Sequence, residues 1–197
     1  KRKSMLSYKE SLKILKETEA LLEGHFLLSS GLHSEKYIQC AKLLSKPEKA
    51  EAICMSLAKK IKNKLNNIDL IVSPAIGGIV IGYEIGRILS LETIFTERVN
   101  NKFELRRGFE IKKGQKVLIV EDVITTGKSS LECSTLVEKL GGIINGYACL
   151  IDRSNGKSKI NKEIISQVEI DIPTYKADQI PEHLKKKKLV KPGSRNL

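Results

Sequence analysis

The chain has 197 residues, 41% hydrophobic and 29% charged, with a formal charge of +12, which suits one well-packed core and is short for two. Its longest apolar runs, such as Val117 to Val120, fall far below a membrane span, and its Lys-rich start lacks the apolar stretch of a signal peptide, so a soluble, cytoplasmic protein is expected. The excess lysine lies over helix faces and the Lys185–Lys188 run with few aromatics interleaved, which reads as a solvated surface attracting small anions before any nucleic acid.

The elements follow in chain order. Leu12, Leu15 and Leu22 recur at helical spacing over residues 8 to 23, with Gly24 as the stop. From 25 to 44 the periodicity breaks into short extended pieces around Ser29-Ser30-Gly31, a hairpin or small lid. Pro47 opens a periodic helix through Leu65, with Ile53, Leu57 and Ile61 on one face. Asp69 to Ser73 reads as a buried strand, followed by Pro74-Ala75-Ile76-Gly77-Gly78 and an apolar helix to about Leu89. Leu91 to Glu97 and Lys116 to Glu121 read as further strands, a helix runs from beyond Thr126 to Leu140, and Ile143 to Asp152 is a fourth strand. Gln167 to Tyr175 is an edge strand, because Pro173 cannot donate to a central ladder. Alternating strands and helices predict an α/β fold, a mainly parallel central sheet covered on both faces.

The cysteines (Cys40, Cys54, Cys133, Cys149) and histidines (His25, His33, His183) show no ligand spacing, so neither a zinc site nor a disulfide framework is expected. In an open parallel sheet the ligand site lies outside the carboxyl ends of the strands. Three turns fall there, Pro74 to Gly78, Arg98 to Gly108 and Glu121 to Ser129, with Asp152-Arg153 closing the fourth strand. The tail of VLIVEDVITTGKSS (117–130) looks like the end of a P-loop, yet the position that would need the first glycine is Asp122. A hydroxyl-rich helix N-terminus can hold a phosphate monoester, and two carboxylates just before it can accept hydrogen bonds from vicinal hydroxyls. That pairing fits a ribose 5-phosphate better than a nucleoside triphosphate. Gly77-Gly78 offers a second turn where backbone can approach another phosphate group, although taken alone it reads as a tight turn.

EDVITTGKS at 121–129 resembles the phosphoribosyl diphosphate (PRPP) signature of type I phosphoribosyltransferases. GHFLLSSGLHSEKYIQ at 24–39, SPAIGG at 73–78, TERVNNKFELRRGF at 96–109, IDRS at 151–154 and KPGSR at 191–195 narrow the resemblance to the orotate phosphoribosyltransferases. It covers nearly the whole chain. It implies a single domain over 1–197, with a small N-terminal hood of roughly 1–45 plus a C-terminal strand, and a PRPP-binding core of roughly 46–165.

By the same resemblance Glu121 and Asp122 contact the ribose hydroxyls, and the run Val123, Ile124, Thr125, Thr126, Gly127, Lys128 and Ser129 holds the 5-phosphate end of PRPP. Gly77 lies in the diphosphate turn, Arg98 and Lys102 are basic residues of a lid at 98–108, and Thr125, Arg153, Tyr37 and Ile38 contact orotate. Catalytic roles fall to Glu121, Asp122, Arg98 and Lys102. The implied cofactor is Mg²⁺, held mainly through PRPP with Asp122 as the candidate protein contact. The implied partners are orotate and PRPP, in a homodimer that shares its lid across the interface, with no nucleic acid and no membrane.

The chain departs from the family pattern at Ser29, where many members have a lysine, at Ile76-Gly77, where they have tyrosine-lysine, and after Lys102, where no histidine follows. Arg106 and Arg107 are alternative sources of the missing charge. A purine-base phosphoribosyltransferase shares the PRPP signature, and a PRPP-sensing regulator shares the fold. The hood and Asp152-Arg153 favour orotate over the first, and the loop arginines speak against the second.

Overall fold

A computed structural model describes residues 5–193. Ser194 and Arg195 of the KPGSR segment, and the first residues of the Lys-rich start, lie outside that range.

Helix α1 (Tyr8–Glu17) opens with a capping box, in which the Glu10 N–H donates to Ser7 Oγ at 3.1 Å and the Ser7 N–H to Glu10 Oε2 at 2.7 Å. It stops earlier than the leucine spacing predicts. Thr18 turns its hydroxyl back onto the Ile14 carbonyl, and Glu19 takes a positive φ of 60°. Leu22 then belongs to β1 (Leu21–Leu27), and Gly24 sits inside that strand at a register shift instead of ending a helix. β1 pairs antiparallel with β2 (His33–Ile38) across the Ser29-Ser30-Gly31 turn, so the expected hairpin is present. A short helix α2 (Cys40–Leu44) and the long α3 (Pro47–Lys64) follow, the latter with Pro47 at its first turn.

Strand β3 (Leu70–Pro74) leads into α4 (Gly77–Leu89), then β4 (Glu92–Val99), β5 (Lys102–Leu105), β6 (Lys116–Ile124), α5 (Lys128–Lys139) and β7 (Ile143–Asp152). The predicted stretch from Gln167 to Tyr175 divides. β8 (Ile164–Glu169) is the edge of the large sheet, while β9 (Thr174–Tyr175), just past Pro173, pairs with β2. A short α6 (Glu182–Lys185) precedes β10 (Leu189–Val190), which lies parallel to β1. The small sheet is therefore ordered β10-β1-β2-β9 and the large one β5-β4-β3-β6-β7-β8. All neighbours in the large sheet are parallel except β4 and β5.

The side-chain alternation of β6 divides the core. Leu118 and Val120 face the cluster formed with α3 and α4, while Val117 and Ile119 face the cluster formed with Cys133 and Val137 of α5. Each such aliphatic side chain contributes about 1.5–3 kcal/mol on burial. Alternation ends at the strand's polar tip, where solvent access returns. From β3 the chain moves outward to β4, and from β6 outward to β7 on the other side, so the strand order reverses between β3 and β6. A crevice opens there at the carboxyl ends of the strands, which is where an open α/β sheet receives its ligand.

Candidate active site

The crevice is bounded by two helix N-termini, those of α4 and α5, neither capped by a side chain. Their first-turn N–H groups and positive dipole ends are thus left for an anion. β6 extends further than predicted, pairing Val123 with Ile151 and Ile124 with Asp152, so the acidic pair lies within the strand and not in a mobile turn.

Asp122 meets the start of α4. A Cβ on Gly77 would lie 2.8 and 2.9 Å from the two Asp122 carboxylate oxygens, and one on Gly78 would lie 3.2 Å from Glu121 Oε1 and 3.0 Å from the Val120 carbonyl. The glycine pair is required by this approach, which the turn reading alone had left open. The Ala75–Ile76 peptide just before it is cis. Glu121 is 9% exposed; it accepts from the Asp122 N–H at 3.3 Å, while Asp122 Oδ1 accepts from the Val123 N–H at 2.8 Å. Burial, and then the charge of Asp122, raise the Glu121 carboxyl to about 8. Burial also raises Asp122, against the opposing hydrogen bond from Val123. Among the described residues no group of three or more His, Cys, Asp or Glu side chains could hold a metal ion.

Past Ile124, Thr125 and Thr126 are exposed and Gly127 starts α5 at φ 81°, a backbone region that side-chain-bearing residues rarely adopt. A Cβ there would also meet Ser158 Oγ at 2.8 Å. The Lys159 N–H donates to the Thr126 carbonyl at 2.9 Å, so residues 158–160 buttress the turn from behind; no motif in the sequence marks them. Lys128 is exposed, and Ser129 is half-buried and accepts from Arg98 Nη2 at 3.4 Å.

Arg153 follows β7 directly, its N–H donating to the Ile124 carbonyl at 2.9 Å, which ties it to the same turn. Its guanidinium is half-buried, its Nε has no hydrogen-bond partner, and burial lowers its pKa. A cation desolvated without a partner is costly, and a bidentate anion such as a carboxylate would offset that cost. Tyr37 and Ile38 lie on β2 in the small sheet, with the Phe26 and Tyr37 rings 5.9 Å apart. They adjoin the acids through Cys40, whose thiol is pushed well up by burial and then by the charges of Asp122, Cys54 and Glu121.

The stretch 98–108 is not an open loop. Asn100 and Asn101 both take positive φ, 48° and 63°, and turn β4 back into β5 as a tight hairpin. Lys102 is exposed beyond this turn. Arg98 is engaged with α5, at 2.8 Å from Glu132. Arg107 is clasped by Glu97 through two bonds of 2.8 and 2.9 Å, while Arg106 is exposed. Glu97 and Glu132 were missed by reasoning from sequence. Glu132 had one faint signal, its i+4 spacing from Lys128.

The family model described as "Phosphoribosyl transferase domain" matches residues 42–185. Fold and site together define a phosphoribosyltransferase of type I. An orotate phosphoribosyltransferase of Maricaulis maris is 48% identical over 179 residues, 90% of this chain and 92% of the relative. One of Erythrobacter litoralis is 47% identical over 187 residues, 94% and 97% of the two chains. The solved orotate phosphoribosyltransferase of Aeropyrum pernix superimposes with a TM-score of 0.69 at 23% identity, covering 80% of this chain and 92% of that one, a likeness of fold. The chain belongs to the orotate phosphoribosyltransferases.

Proposed function

We propose that the chain performs the reaction for which its family is named, transferring the phosphoribosyl group of PRPP to N1 of orotate. The products are orotidine 5′-monophosphate and diphosphate, the penultimate step toward UMP. The observation that carries orotate over another base is Arg153, a half-buried guanidinium with a partnerless Nε beside the Thr125 turn.

The uncapped first turn of α5, with Thr125, Thr126, Gly127, Lys128 and Ser129, receives the 5-phosphate, and Val123 and Ile124 carry the strand to it. Glu121 and Asp122 receive the 2- and 3-hydroxyls. With Glu121 raised to about 8, the empty pair keeps a proton on Glu121 near neutral pH, so it presents both a donor and an acceptor to two vicinal hydroxyls. Asp122 adds negative charge near a ribose ring that becomes cationic as diphosphate leaves. Gly77 and the start of α4 approach the diphosphate, and Arg98, Lys102 and Arg106 supply positive charge on its outer side. Tyr37 and Ile38 bring the small sheet over the base.

Two adjacent carboxylates, with no third ligand among the described residues, fit a divalent ion held chiefly by substrate oxygens, with Asp122 as its protein contact. Bound Mg²⁺ would neutralise charge on the leaving diphosphate. The chain's own residues fix the donor, fix the acceptor and limit water at the reacting carbon.

We also infer a homodimer. Ile76, Val80 and Tyr83 form an exposed apolar stripe at helical spacing on α4, bordered by Glu51, Glu84 and Arg87, charges of both signs that can meet their own copies across a two-fold axis. The exposed hairpin tip at Asn100, Asn101 and Lys102 is the part that would reach a partner's site. The four cysteines are free and buried, in keeping with a reducing, cytoplasmic setting.

The deciding experiment mixes the protein with PRPP, Mg²⁺ and orotate and follows the loss of orotate absorbance. A chain that instead consumes PRPP only with adenine or hypoxanthine overturns the reading.

A further inference from the structure

Arg98 is fixed from several sides by its own chain. Its Nη2 lies 2.8 Å from Glu132 Oε2 and donates to Ser129 Oγ at 3.4 Å, and its Nη1 donates to the Asn101 carbonyl at 3.1 Å. The guanidinium also covers the ring of Phe103, its cross-strand partner, at 4.1 Å from the centroid. Glu132 stands on the second turn of α5, three residues beyond Ser129, and its other oxygen lies 3.9 Å from Lys128 Nζ.

A guanidinium carries five N–H donors, and these three contacts leave its Nε hydrogen and one Nη1 hydrogen available. Phe103 and the Asn101 carbonyl alone would hold Arg98 flat on the hairpin. Glu132 draws its outer edge toward the first turn of α5, where Ser129 belongs to the phosphate-binding turn.

We propose that Glu132 is a positioning residue, which holds Arg98 at the phosphate-binding turn of its own chain. The proposal deepens the functional reading above and rests on Arg98 meeting PRPP. Glu132 touches no substrate in this scheme. It orders the guanidinium before PRPP arrives, so that the entropy of fixing a long side chain is already spent when the anion binds. Lys102 beside the turn and Arg106 past the other end of β5 are exposed and have no such anchor among the described residues.

The test compares Arg98→Ala, Glu132→Gln, Glu132→Asp and the Arg98→Ala/Glu132→Gln double variant, with Michaelis constants measured separately for PRPP and orotate. Because the ion pair is partly exposed, Glu132→Gln is expected to raise the constant for PRPP roughly two- to fivefold while moving that for orotate much less. Glu132→Asp is expected to recover part of the loss, and the double variant to match Arg98→Ala alone. Additive effects, or a Glu132→Gln protein equal to wild type, overturn the positioning role. If Arg98→Ala itself leaves the PRPP constant unchanged, the assignment of Arg98 fails, and the proposal falls with it by a separate and visible route. Thermal melts of the four proteins separate a folding defect from a change in binding, since Gln keeps the shape of Glu.

Discussion

Gly77 and Asp122 touch across the reversal of strand order: any Cβ at position 77 would lie 2.8 Å from a carboxylate oxygen of Asp122. Gly77→Ala must therefore push that carboxylate aside or tilt the start of α4. Misplacing a reacting group by about 1 Å can cost about a hundredfold, so turnover is expected to fall at least about tenfold with a much smaller change in melting temperature. Steady-state kinetics beside a thermal melt checks this; wild-type turnover would mean that the carboxylate's place is not set by the glycine.

The Glu121 carboxyl gives the empty protein a pH-dependent stability. Its pKa rises from 4.5 to about 8 on folding. Between those values the unfolded chain has released a proton that the folded chain retains, so stability falls as pH rises and levels off above about 8. The melting temperature of the ligand-free protein should drop from acid to mildly alkaline pH, and Glu121→Gln should flatten that drop. Equal slopes for the two proteins would place the proton elsewhere.

Arg153→Ala is expected to raise the Michaelis constant for orotate by roughly ten- to a hundredfold, the value of a charge-assisted pair, and to leave that for PRPP far less changed. Titration of each substrate at saturating levels of the other distinguishes the two. A larger effect on PRPP would remove Arg153 from the orotate carboxylate.

Of the two arginines that follow β5, Arg107 is occupied by Glu97 and Arg106 is exposed with no side-chain partner among the described residues. Arg106→Ala should therefore weaken PRPP binding more than Arg107→Ala does. The Arg107 change should instead loosen the hairpin, seen as faster amide exchange in β5. The opposite ranking would assign the diphosphate to Arg107.

Exposed apolar stripes seldom persist in monomers, so Tyr83→Asp on α4 is expected to shift the protein from dimer to monomer in sedimentation. An unchanged mass would exclude that face as the interface.

Much of the large sheet was legible because buried parallel strands are nearly continuous apolar runs: Leu70–Pro74, Lys116–Val120 and Ile143–Asp152 announce themselves. The acidic pair and the hydroxyl-rich turn that follows it were legible for another reason, their adjacency in sequence. What stayed hidden depended on partners far along the chain. Leu22 continues the helical spacing of α1, but Glu19 breaks the helix and pairing with Tyr37 claims the leucine for β1. The hairpin at 98–108 hid because two asparagines at positive φ turn it, without the glycine that commonly marks such turns. Arg106 and Arg107 looked alike, and only the position of Glu97 distinguishes them.

The parallel pairing of β10 with β1 has a bearing on biosynthesis. The last strand of the large sheet ends at Glu169, whereas the small sheet needs Thr174–Tyr175 on one flank and Leu189–Val190 on the other. A chain emerging from the ribosome can pair all of the large sheet while the small sheet still lacks both outer strands. Residues 21–38 must then wait, half-paired, for partners made some 150 residues later, a long-range closure that is intrinsically slow. Phosphate-binding capacity should therefore arise earlier during synthesis than base selectivity.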